Sequence, residues 1–109
     1  MNENRYVKCC EIMGQDYALR QTAEECAELA QSCLKLVRAM NGETPVSVDA
    51  AKEDLLEDLL EELADVRNMV EVMTISLTMD EYSRMRNIQD YKLDRMCDRL
   101  KIEVFGDEP

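Results

Sequence analysis

The sequence predicts an all-α fold: an antiparallel bundle of three long helices preceded by a short N-terminal helix. Three observations carry that expectation. The 109-residue chain is 46% hydrophobic and 34% charged, rich in Leu, Met, Glu and Arg, with only three Gly, two Pro and one Phe. That mix favours helix over strand. Its apolar residues recur at helical rather than alternating spacing. Its Gly, Pro and capping signals fall only where helices would have to end.

Taken in order, residues from about Asn4 to Met13 can form a short helix stopped by Gly14. Asp16 can cap the first long helix, which runs to about Met40 and stops at "NGETP". The segment Asn41 to Val48, with Gly42 and Pro45, is the one clear loop. Asp49 can cap the second long helix, which continues to about Leu77. "TMDE", Thr78 to Glu81, has the capping-box spacing, so a third helix should begin there and run to about Val104. The tail "FGDEP" is expected to fray. One domain accounts for the whole length, and three amphipathic helices of this size bury a modest core, so a second copy is expected to complete the bundle.

A net charge of −11 and a pI near 4.4 argue against nucleic-acid binding, because phosphate repels an acidic surface. No segment approaches the ~20 uninterrupted apolar residues of a membrane span. The N-terminus "MNENRYVKCC" has no apolar run of the kind a secretory leader needs. The five cysteines are odd in number and match no zinc spacing. Cys26 and Cys33 fall at apolar helix positions, where thiols act as small hydrophobes. A reduced, cytoplasmic protein is the expectation.

Two acidic segments stand out. On the first long helix, Leu19, Ala23, Cys26, Ala30, Cys33, Leu34 and Val37 form one apolar stripe at about 100° per residue, widened on one side by Leu29 and Leu36. Beyond that edge runs a second stripe, Gln21, Glu25, Glu28, Ser32 and Lys35, while Glu24 lies farther round. The second long helix is expected to bury Leu55, Leu56, Leu59, Leu63, Val66, Val70 and Met73. Glu62 falls inside the edge of that arc, and Asp65 lies just outside it, in line with Asp58. A lone buried carboxylate is costly unless paired or metal-bound. Glu62 is therefore the most anomalous residue in the chain.

Two readings follow. Acid runs on helices are commonly solvated faces with i,i+4 partners. Alternatively, an antiparallel hairpin gathers Glu25, Glu28, Glu62 and Asp65 at one interface, where Mg²⁺ or Mn²⁺ would relieve their repulsion. The chain contains no histidine, which disfavours Glu-x-x-His di-iron sites and the usual catalytic zinc sites. On the third helix Lys92, Arg95 and Arg99 share one stripe, either a solvated basic face or an anion contact. Tyr82 and Tyr91 are either core and interface residues or base-stacking ones.

"EECAEL" fits Glu-Glu-x-x-Glu and "ELADV" fits Glu-x-x-Asp, the paired signature that resembles the MazG-like all-α nucleoside triphosphate pyrophosphohydrolases. "QTAEECAELAQSCLKLVRA" and "LLEELADVRNMVEVM" resemble the two metal-binding helices of that family, and "YKLDRMCDRL" resembles the basic helix that follows them. The likeness spans roughly Gly14 to Leu100, with a somewhat wider separation between the motifs, from Asn41 to Leu60. It implies hydrolysis of a (deoxy)nucleoside triphosphate between its α and β phosphates, releasing monophosphate and pyrophosphate, in nucleotide-pool house-cleaning. It implies Mg²⁺, or Mn²⁺, held by Glu25, Glu28, Glu62 and Asp65, with Glu24 and Glu61 as outer acids or ligands of an additional ion. Glu28 or Glu24 is the implied base, Lys92, Arg95 and Lys35 are implied phosphate contacts, and a homodimer or homotetramer is implied. Phosphoribosyl-ATP pyrophosphohydrolase, dUTPase and dCTPase specificities belong to the same superfamily. A non-catalytic helical adaptor is the alternative outside it.

Overall fold

The computed structural model describes residues 2–43 and 48–105, with the side chains of 5–43 and 52–101. Three helices make up these residues: α1 (Asn2–Met40), α2 (Val48–Ile75) and α3 (Met79–Phe105). The expected side-chain cap at Asp49 and the fate of the tail lie outside the described residues.

The boundaries follow from local chemistry. Gly14 interrupts α1 with φ 74° and ψ 167°, a region open essentially to glycine alone, so an N-terminal arm (residues 2–13) precedes the main segment (residues 15–40). At the other end, Glu43 N donates to Arg38 O at 2.8 Å and Gly42 N donates to Ala39 O at 3.2 Å. With Gly42 at φ 72°, this is a Schellman closure of the helix's last carbonyls. Asp16 accepts a bond from Arg20 Nε at 3.1 Å, one turn along. No glycine or proline ends α2. Instead the Thr74 hydroxyl donates to Val70 O at 2.7 Å and the Ser76 hydroxyl to Met73 O at 2.6 Å. The expected capping box opens α3: Thr78 N donates to Glu81 Oε1 at 2.9 Å, and Glu81 N donates to Thr78 Oγ1 at 3.1 Å.

The chain divides into two compact units, residues 1–76 and 77–109. In the first, α1 and α2 pack along their lengths. Ala18 clusters with Met69 and Val72, while Glu25 interacts with Asp65 and Glu28 with Glu62. Partners that descend along α2 as α1 ascends define an antiparallel hairpin. A straight α1 would carry residue 6 beyond the end of α2. Yet the Tyr6 hydroxyl donates to Asn68 Oδ1 at 2.7 Å, and Tyr6, Cys10 and Met13 pack against the Ala18–Met69–Val72 cluster. Gly14 therefore turns the arm back along α2.

The face of α1 that meets α2 differs from the expected one. Gln21, Thr22, Glu25, Leu29, Ser32 and Leu36 are half-buried and Ala18 and Ala39 buried, whereas Ala23, Cys26, Ala30 and Cys33 are exposed. The seam thus centres on the polar stripe and the Leu29–Leu36 edge. On α2 the buried or half-buried line is Leu55, Leu59, Glu62, Val66, Met69 and Met73. Leu56, Leu63 and Val70, expected to be buried, stay 48%, 43% and 50% exposed. The reason is width: each apolar arc is broader than one facing helix can cover. Leu19, Leu34 and Val37 on α1 are likewise about half exposed. At helical periodicity both exposed lines sit about a third of a turn from the seam in the same sense. In an antiparallel pair that places them on one side of the hairpin, as a single uncovered apolar face.

In the second unit α3 is exposed along its described length except for half-buried Met85. Its exposed apolar residues include Tyr82, Ile88, Leu93, Met96 and Leu100. No helix among the described residues is long and apolar enough to cross a membrane.

Candidate metal centre

The polar stripe of α1 and the Glu62 line of α2 meet at mid-hairpin, because the helices dock through the narrow overlap of their apolar arcs and the acids border that overlap. Glu25, Glu28 and Glu62 each place one carboxylate oxygen within 4.8 Å of the others. Glu25 and Glu62 are half-buried, and Glu28 is exposed. The Oε2 atoms of Glu25 and Glu62 are shut off from solvent and have no hydrogen-bond partner.

These oxygens carry an electrostatic cost. Burial is the main reason that the Glu62 carboxyl holds its proton above the ordinary value of 4.5, followed by a proton shared with Glu28 and by the charges of Glu28, Asp65 and Glu25. Burial also raises Glu25, with Asp65 and Glu28 adding to it, although the Gln21 amide, donating from Nε2 at 2.8 Å, partly offsets the shift. Arg20 pairs with Asp16 and Arg84 with Asp80, both on exposed surface.

Asp65 acts on both half-buried glutamates but is not one of the three groups whose oxygens converge. Glu24 and Glu61 are exposed and outside the trio. Lys35 is exposed on α1. Lys92 and Arg95 are exposed on α3, where the Arg95 guanidinium carbon stands 5.8 Å from the Tyr91 ring centre. All five cysteines are free thiols, and Cys26 and Cys33 are exposed rather than packed.

Sequence reasoning missed the space beside the acids. A cavity of about 480 Å³ begins at Glu25 and Asp65 and runs beneath the N-terminal arm, lined also by Gln21, Asn68, Tyr17, Met13, Cys9, Tyr6 and Arg5. Gly14 was its only local signal, since a break there frees the arm to fold back. The closure itself is a tertiary contact that no spacing encodes.

The donor set fits a hard divalent cation. Three carboxylates with neither histidine nor cysteine among them suit Mg²⁺ or Mn²⁺, and three protein ligands leave coordination positions for water and phosphate. The orphaned Oε2 atoms are the observation that tests the fit: a buried carboxylate oxygen without a partner is costly, and a cation removes that cost. No family model, no curated protein and no solved structure matches the chain.

Proposed function

We propose that the chain is a Mg²⁺-dependent nucleoside triphosphate pyrophosphohydrolase. The convergence of Glu25, Glu28 and Glu62, with two oxygens buried and unpartnered, carries the reading. The resemblance of both acidic motifs to MazG-like enzymes supports the reaction class. Glu25, Glu28 and Glu62 would hold the ion directly, with Asp65 beside them. A bound Mg²⁺ supplies positive charge to the phosphate oxygens and lowers the pKa of water.

The chain's own residues do the rest. Glu28, the most exposed member of the trio, takes the proton of the attacking water. The water oxygen bonds to phosphorus, the bridging P–O bond between the α and β phosphates breaks, and monophosphate and pyrophosphate leave. Gln21 steadies Glu25 through its amide. Lys35, on the same helix as Glu25 and Glu28, is the cation that the hairpin offers to the triphosphate. The uncovered side of the hairpin is closed by a second copy, giving a homodimer or a pair of such dimers.

The deciding experiment is pyrophosphate release from a panel of nucleoside triphosphates with Mg²⁺, Mn²⁺ or EDTA, together with calorimetric titration of the metal. Metal-dependent release from at least one nucleotide is expected. Folded protein that takes up no metal and releases no pyrophosphate would leave the acids as a partner-binding surface.

A further inference from the structure

We infer that the cavity beneath the N-terminal arm receives the nucleoside half of the substrate, and that Asn68, held as a donor by Tyr6, selects bases presenting a carbonyl to it. The inference rests on the pyrophosphohydrolase reading and adds to it which end of the substrate lies where and which residue reads the base.

The cavity starts at Glu25 and Asp65, so a ligand whose phosphates lie at the acids projects its remainder along the cavity. Its volume of about 480 Å³ is that of a small-molecule site, about 300–1,000 Å³. Tyr6, Tyr17 and Met13 supply flat and apolar wall for a ring. Two amides supply its polar selectivity, and both are committed. The Tyr6 hydroxyl occupies Asn68 Oδ1 at 2.7 Å, which leaves the Asn68 amide N–H groups to face a ligand. Gln21 spends Nε2 on Glu25 at 2.8 Å, which leaves its carbonyl oxygen. Asn68 meets a carbonyl well, and Gln21 accepts the adjacent ring N–H, as uracil or hypoxanthine presents them. An exocyclic amino group at the same place sets N–H against N–H, and the unpaired donors it creates weaken the complex. Asn68 is thus a specificity residue and Tyr6 the residue that positions it.

The test compares kcat/KM for dUTP against dCTP and for dITP against dATP. Wild type is expected to favour the carbonyl-bearing member of each pair by about 10-fold or more. Asn68→Asp keeps the shape but replaces the donor with an acceptor, and should erase or invert the ratio. Tyr6→Phe frees the Asn68 amide to turn and should narrow the ratio, with Mg²⁺ affinity in the absence of nucleotide unchanged. A ratio equal in all three proteins, or favouring the amino-bearing base in wild type, overturns the proposal.

A second measurement is independent of turnover. Cys9 lines the cavity and is exposed, whereas Cys26 and Cys33 lie elsewhere on exposed surface. With Mg²⁺ present, dUMP should protect Cys9 from alkylation, read by mass spectrometry, and inorganic tripolyphosphate should not, while Cys26 and Cys33 serve as references. Pyrophosphate release with Cys9 unprotected overturns the cavity assignment and spares the hydrolase reading. Protection without release from any nucleotide does the reverse.

Discussion

Glu62 shows how much one residue can announce. Helical periodicity alone put a carboxylate inside an apolar arc, and the structure leaves that carboxylate half-buried with an orphaned oxygen. Glu62→Gln should therefore raise the melting temperature of metal-free protein by a few degrees, through relieved repulsion, while abolishing Mg²⁺-dependent pyrophosphate release. Calorimetry and a coupled phosphate assay read the two effects separately. Glu28→Gln should lower kcat by about 10²–10⁴-fold, as loss of a general base does. The pH response has a definite sign. Glu25 and Glu62 hold protons more tightly folded than unfolded, so folding is favoured when they are protonated. Metal-free protein should melt higher as pH falls from neutrality toward the ordinary carboxylate value of 4.5, and Glu62→Gln should flatten that rise. Glu81 works the other way. Its bond from Thr78 N, and then the one with the Thr78 hydroxyl, lowers its pKa, so its contribution is lost as pH falls below 4.5 through its folded value. Tyr6 and Asn68, by contrast, carry no pattern in sequence. Their roles exist only because a distant arm comes to rest on α2.

At the level of elements, the boundaries were legible because each has a local cause. Gly14, the Gly42 closure and the Thr78–Glu81 box are short-range chemistry that a reader of sequence can recognise. Thr78→Ala should cost about 1 kcal/mol, seen as faster amide exchange in the first turn of α3. The facing of α1 was less legible. Periodicity locates a broad apolar arc, but which part of it meets a neighbour depends on the neighbour, and here α2 takes the arc's polar edge. Gly14→Ala tests the arm. A Cβ there meets no atom within 4 Å, so steric contact is not the issue. The backbone conformation costs about 1–3 kcal/mol for a residue other than glycine. The variant either melts lower or relieves the strain by straightening α1, which draws Tyr6 off Asn68. Alkylation of half-buried Cys10, quicker in the variant, would report the second outcome.

For the whole molecule, the described residues yield only four buried hydrophobics, Ala18, Ala39, Met69 and Val72. That is too little apolar burial for the hairpin to stand without further support. Two sources are expected. A ligand that binds only the folded chain stabilises it by RT ln(1 + [L]/Kd), so millimolar Mg²⁺ should raise the melting temperature of wild type and not of Glu62→Gln. The apolar side carrying Leu56, Leu60 and Leu63 should drive self-association, and Leu63→Glu should shift the sedimentation profile toward monomer. A sequence read one chain at a time shows that such a side exists, but not what lies across it.

Helical hairpins ordinarily fray from their tips. This one buries apolar side chains toward both extremities, Ala18 with Met69 and Val72 at one and Ala39 at the other, with like charges pressed together between them. Its weakest point is amidships, so the first breathing motion should be a bowing apart of the two rods there, with water reaching the middle before either end lets go.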